Sequence, residues 1–175
     1  MKKILLALAM AGAMTMAPAF GGDAWADIPL AAPSYAAAAE IIDFSVTNLR
    51  DGSGASLAQL CADKPLLLNF WASWCPPCVG EMPHIDAMYG KYGDRINFAA
   101  VSVDDSAQEA RSFTQGRGAG LQLPFYYGDA GEISYAYQLQ AIPMTLLVAP
   151  GGKIIDRHLG GMTQDMLEDF LQAAL

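Results

Sequence analysis

An α/β fold built on one central mixed sheet is what this sequence predicts, and three observations predict it. The first is an apolar run, Leu66 to Trp71, that gives way to a helical pattern from Pro76 onward. The second is another apolar run, Ile96 to Val103, followed by its own helix-start signal. The third is a pair of runs, Met144 to Ala149 and Lys153 to Leu159, joined by Pro150-Gly151-Gly152 in the manner of a β-hairpin. Strands alternating with helices, then a hairpin, make a mixed sheet covered by helices.

The chain begins with Lys2 and Lys3, followed by an apolar run to Met16 without a charge. Small residues then offer a cleavage point at Ala24-Trp25-Ala26, with Ala17-Pro18-Ala19 as second choice. Residues 1–26 therefore read as a cleaved signal peptide. The alternative is a retained anchor, but Ile4 to Phe20 contains Gly12 and Pro18 and barely reaches the length of a bilayer span. The first cysteine is Cys61, so none lies near the leader's end to carry a lipid. Residues 27–39, rich in Pro and Ala, read as a linker, and residues 40–175 as one domain.

Composition narrows the function. The chain carries 10 basic and 18 acidic residues, a formal charge of −8, and loss of the leader takes this to −9. So acidic a chain, without a Lys/Arg run, has no electrostatic footprint for nucleic acid. Three cysteines are too few for a disulfide framework and too many for one bridge.

Within the domain, Ile41 to Val46 alternates weakly, as an edge strand would, and Asp51-Gly52-Ser53-Gly54 marks a turn. Ser56 to Cys61 reads as a short helix with Leu57 and Leu60 on one side. Leu66 to Trp71 is apolar enough for a central strand covered on both faces. After Pro76, apolar residues recur at Val79, Met82, Ile85, Met88, Tyr89 and Tyr92, with Pro83 expected to kink the helix. Ile96 to Val103 is the next buried strand, and Ser106 with Glu109 forms a capping-box pattern for a helix through Phe113. Gly116 to Gly120 follows a helix instead of joining a strand to one, so it reads as a turn and not a phosphate loop. Leu123 to Tyr127 is a short strand, and Asp129 caps a helix through Tyr137. Thr163 caps a last helix whose Met166, Leu167, Phe170 and Leu171 face inward.

The chemistry gathers at Cys75-Pro76-Pro77-Cys78, a dithiol at the junction of a buried strand and a helix. Cys75 precedes the first turn, where unpaired N–H groups and the helix dipole favour a thiolate, and a loop position leaves it accessible. It is the expected attacking thiol, with Cys78, one turn in, the resolving thiol. A structural disulfide or half a zinc site is the alternative; Cys61, His84 and His158 show no spacing that completes four ligands. No metal and no cofactor are expected. Pro76 and Pro77 lack N–H groups, so the Cys78 N–H is left as the main donor to the Cys75 sulfur, which favours a reductant over a strong oxidant. Glu81, three residues beyond Cys78, falls beneath the dithiol or else is an exposed first-turn acid. Cys61 reads as a small buried hydrophobe, with a regulatory disulfide as alternative. His84 and His158 read as solvated or locally hydrogen-bonded.

Phe70-Trp71-Ala72-Ser73-Trp74-Cys75-Pro76-Pro77-Cys78 resembles the active-site segment of the exported TlpA/ResA-like branch of thioredoxin-fold thiol-disulfide oxidoreductases. The resemblance runs from about Ile42 to the C-terminus. It includes a strand-helix insert at Ile96 to Arg117 with Val101-Ser102-Val103-Asp104, and Ala141-Ile142-Pro143-Met144-Thr145 at the family's cis-proline segment. Asn69, Ala141 and Met144 depart from residues frequent in the wider family. What the resemblance implies is a thioredoxin fold with an N-terminal β extension, a cis Ile142–Pro143 bond facing the dithiol, and a Glu81 that handles the thiols' protons. Trp74, Pro76, Pro77, Ile142 and Pro143 are the expected substrate-binding residues, Ile142 offering backbone to an extended peptide; Trp71 either walls the site or lies in the core. The implied role is a periplasmic, monomeric reductase of protein disulfides, in cytochrome c maturation or copper-site assembly, fed by a membrane thiol transporter of the DsbD/CcdA type. A dithiol oxidant or isomerase, and a non-catalytic binding module, are the alternatives.

Overall fold

The computed structural model describes residues 40–175; the expected signal peptide (1–26) and linker (27–39) lie outside the described residues. In chain order the elements are β1 Ser45–Asn48, β2 Gly54–Ser56, α1 Leu57–Leu60, β3 Leu66–Trp71, α2 Pro76–Tyr92, β4 Asn97–Ser102, α3 Ala107–Gln115, β5 Phe125–Tyr127, α4 Ala130–Tyr137, β6 Met144–Val148, β7 Ile154–Leu159 and α5 Gln164–Leu171. Seven strands form one sheet in the order β2-β1-β5-β4-β3-β6-β7. β3, β4 and β5 run parallel, while β6, β7, β1 and β2 join antiparallel. The mixed sheet expected from the alternating elements is therefore present.

Burial explains why β3 sits at the centre. All six of its residues are buried, as an apolar run broken only by Asn69 requires when helices cover both faces. On α2 the buried side chains are Cys78, Glu81, Met82, Ile85, Met88 and Tyr92, the three-and-four spacing of one helical face. Each fully buried large side chain in this core contributes about 1.5–3 kcal/mol. Trp71 belongs to the core and not to the site wall: it is fully buried, with Phe113 of α3 at 4.8 Å and Phe125 of β5 at 5.4 Å between ring centroids.

Several expectations need correction. The first strand is Ser45–Asn48, not Ile41–Val46, and it lies between β2 and β5 instead of at the edge. Its predecessor bonds elsewhere: the Ile41 N–H donates to Gly152 O at 2.8 Å, and Glu40 bridges Lys153. Tyr137 fixes the same segment by accepting from Ile42 N and donating to Ile42 O. The three-residue β2 has no visible alternation; it follows the tight turn at Gly52, whose φ of +76° favours glycine. The complete capping box forms at Ser56 and Gln59 of α1, whereas Ser106 of α3 accepts from the Glu109 N–H. α2 runs as one helix through Pro83, which is exposed on its solvent side. On α5, Leu167 and Leu171 are buried but Met166 is exposed, because position 166 points away from the packed stripe.

The last helix starts at the dithiol end of the molecule and runs along α2. α5 packs on α2, where Lys91 lies 2.9 Å from Glu168 and the Tyr92 hydroxyl donates to the same carboxylate. That packing brings the β7–α5 connection, Gly160 to Met162, against the first turns of α2. Gly160 has a φ of +101°, a backbone state that a side chain would strain.

Candidate active site

The dithiol sits at the C-terminal end of β3, where the chain turns into α2. Cys75 is the N-cap residue and Pro76 and Pro77 occupy the first helical positions, where their missing N–H groups would have had no intrahelical partner. Cys75 and Cys78 are joined, with S–S 2.05 Å and Cα–Cα 5.3 Å. The Cys78 N–H donates to Cys75 Sγ at 3.3 Å. On the other side the carbonyl oxygen of Ile142 lies 3.7 Å from that sulfur. The Ile142–Pro143 peptide is cis.

Cys75 is less accessible than a loop position implies. It is 4% exposed and Cys78 is 0% exposed, because the disulfide, the helix start and the Ile142 backbone close around the sulfurs. Exposure is displaced to the neighbours: Trp74 is 65% exposed, and Pro76 and Pro77 are exposed as well. Trp74 and Ile142 line a cavity of about 370 Å³ together with Val103, Asp105, Leu139 and Ala141. Pro143, next along the chain, is buried.

Glu81 points inward. It is 2% exposed, so the reading of an exposed first-turn acid fails. One carboxylate oxygen accepts from Asn69 Nδ2 at 2.8 Å and the other from the Met162 N–H at 3.0 Å. Asn69 comes from β3 and is paired across the sheet with Thr145 of β6, whose hydroxyl oxygen it also reaches at 3.0 Å. Burial pushes the Glu81 carboxyl up to about 7, against the opposing pull of the Met162 N–H, the Asn69 amide and the charge of His84. The protein therefore holds, one helical turn from the dithiol, an acid that gains and loses its proton near neutral pH.

Sequence reasoning singles out neither of two groups that hold the loop before Cys75. Asp104, at the end of β4 and fully buried, accepts from the Ser73 N–H at 3.0 Å, the Ser73 hydroxyl at 2.7 Å and the Ser102 hydroxyl at 2.6 Å. Arg117, just past α3, donates to Ser73 O at 2.9 Å. The strand-helix insert thus grips both backbone groups of Ser73, two residues before the first cysteine. An acid closing a buried strand is the available signal for Asp104; nothing local marks Arg117.

Cys61 is a free thiol, buried at 1% exposure, and burial pushes it up. His84 is locally bonded, its Nδ1 3.1 Å from Met162 O, and His158 packs edge-on against Phe170. Among the described residues no three His, Cys, Asp or Glu side chains are grouped to hold a metal ion. Among the same residues no helix is long and apolar enough to cross a membrane.

Comparison with known proteins agrees with this geometry. A family model described as Redoxin matches residues 35–174. The thiol-disulfide oxidoreductase ResA of Halalkalibacterium halodurans is 31% identical over 134 residues, 76% of this chain and 74% of that protein. The thioredoxin-like protein YneN of Bacillus subtilis is 35% identical over 132 residues, covering 74% and 75% of the two chains. Among solved structures, StoA from Bacillus subtilis superposes with a TM-score of 0.63 at 25% identity, covering 75% of this chain and 98% of that one. With a strand-to-helix dithiol at the heart of a thioredoxin fold, the chain belongs to the Redoxin family and is a thiol-disulfide oxidoreductase of the ResA/StoA type.

Proposed function

We propose that this oxidoreductase works as a reductant of protein disulfides in an exported, periplasmic setting. The observation that carries the direction is the sparse support for a Cys75 thiolate: the Cys78 N–H reaches the sulfur, Pro76 and Pro77 offer no N–H, and a buried carboxyl lies one turn below. Strong dithiol oxidants owe their potential to a stabilised thiolate in the reduced form. A nearby carboxylate works the other way, raising thiol pKa values.

In the reduced enzyme, Cys75 thiolate attacks one sulfur of a substrate disulfide. A mixed disulfide forms and the first substrate thiolate leaves. Cys78 then gives its proton to the Glu81 carboxylate and attacks Cys75 Sγ. The second substrate thiolate leaves, two electrons have passed to the substrate, and the Cys75–Cys78 disulfide remains. Two electrons from a membrane thiol transporter of the DsbD/CcdA type restore the dithiol. Trp74, Pro76 and Pro77 supply the exposed surface over which the substrate docks, and Ile142, set by Pro143, offers its backbone to an extended segment. Apocytochrome c or copper-site cysteines are the targets that the ResA-type relationship favours, and a monomer is the working unit.

The reduction potential tests the direction. A value in the thioredoxin range, about −270 mV, is expected, and one near about −120 mV overturns the reductant reading. Insulin reduction by the enzyme, lost in Cys75→Ser, separates catalysis from a binding module.

A further inference from the structure

Glu81 and His84 grip the two polar groups of one backbone residue. Glu81 accepts from the Met162 N–H at 3.0 Å, and His84 Nδ1 lies 3.1 Å from the Met162 carbonyl oxygen. A carbonyl oxygen only accepts, so Nδ1 carries the hydrogen and donates. The two side chains stand three residues apart on α2, one turn, on the side that faces the β7–α5 connection. Their surroundings differ: Glu81 is buried, whereas His84 is half-buried and in contact with solvent. Met162 is itself 3% exposed, and Gly161 beside it comes close to both Pro77 O and Glu81 Oε2.

We propose that His84 is a positioning residue for Glu81: by holding the Met162 carbonyl it keeps the Met162 N–H on the buried carboxyl. The inference rests on the reading of Glu81 as the proton handler but concerns a different residue. Without His84 the connection from β7 to α5 loses a tether beside the dithiol, and Glu81 is left with the Asn69 amide as its firm donor. Both changes disfavour the carboxylate.

The other charged and titratable groups nearby have separate engagements. On α2, Lys91 pairs with Glu168 of α5. On β7, Arg157 reaches Met144 Sδ at 3.8 Å, and His158 lies against Phe170. β3 and β6 present the neutral Asn69 and Thr145, and Cys75 and Cys78 are joined. Asp165, in the first turn of α5, is the acid that follows Met162 in sequence. Among these groups, His84 is the one that shares a backbone partner, Met162, with Glu81.

The test is to titrate the Glu81 carboxyl carbon by NMR in the oxidised full chain. In His84→Ala the midpoint should rise by roughly half a unit or more, since the Met162 N–H is no longer held on the carboxyl. In His84→Asn, whose amide can still donate to Met162 O, it should rise less. A midpoint in His84→Ala equal to that of the parent overturns the proposal. Should His84→Ala fail to fold, His84→Phe, which fills the ring's space without a donor, takes its place, and a midpoint there equal to that of the parent overturns the proposal. Failure of the Glu81 reading has a separate signature: Glu81→Gln would leave the pH profile of reductase activity unmoved while the NMR midpoints still shifted.

Discussion

Two buried carboxylates flank the dithiol, and they are equipped differently. Asp104 accepts both the N–H and the hydroxyl of Ser73 and the hydroxyl of Ser102, and so anchors the loop that leads into Cys75. Glu81, equally buried, has one donor for each oxygen and lies beneath the helix start. A buried carboxylate needs donors to stay ionised, and each one withheld favours the protonated form. Asp104 thus holds the loop through three donors, whereas each Glu81 oxygen meets one; the difference is one of donor count and not of burial.

The comparison breaks most visibly with Asp104→Ala. Three donors lose their acceptor in a fully buried site, so urea unfolding should show a loss of roughly 3–5 kcal/mol. A loss under about 1 kcal/mol would mean that Asp104 is not the anchor.

Glu81→Gln should act through pH instead. The carboxyl is raised from 4.5 to about 7 in the fold, so the folded state holds a proton that the unfolded state has released. Its stabilising contribution is fully present below about pH 4.5 and is lost as pH rises through about 7, a fall of roughly 3 kcal/mol for the oxidised protein. Glu81→Gln should flatten that fall, and should displace the pH profile of insulin reduction. Stability curves of parent and variant that stay parallel from pH 4.5 to 7.5 would mean that Glu81 is not held as a raised acid in the fold.

Arg117→Ala sharpens the Asp104 side by a smaller amount. The residue is exposed and its bond to Ser73 O is single, so about 0.5–1.5 kcal/mol is expected in the same urea experiment. Additive losses in the Asp104→Ala, Arg117→Ala double variant would show that the two ends of Ser73 are held independently.

Much of the fold is legible in the sequence because its signals are short in range. β3 can be read to the residue from an apolar run broken only by Asn69, and α2 from its prolines and its periodic face. The hairpin is marked by Gly151 and Gly152, both at positive φ. β1 and β2 escape such reading for the opposite reason. Four- and three-residue strands carry little pattern of their own, and β1 is defined by its partners in β2 and β5. Met166 departs from its expected inward position because an eight-residue helix admits more than one apolar stripe, and packing against α2 chooses between them.

At the site the division is similar. Cys75 and Cys78 stand out in sequence, and Glu81 can be placed one turn on but with two readings open. Its burial is settled by Asn69, 12 residues away, and Met162, 81 residues away. His84 has no signal beyond its type, since what it grips belongs to a loop 78 residues later.

What the sequence determined alone was a dithiol at the start of a helix behind a buried strand, because capping, proline placement and periodicity act within a few residues. What only the tertiary structure decided was the environment of that dithiol: Ile142 closing over Cys75, the insert holding Ser73, and a loop from the far end of the chain meeting Glu81 and His84. Burial and donor count are properties of contacts between distant segments, and they set the anchor at Asp104 apart from the buried, upshifted carboxyl of Glu81.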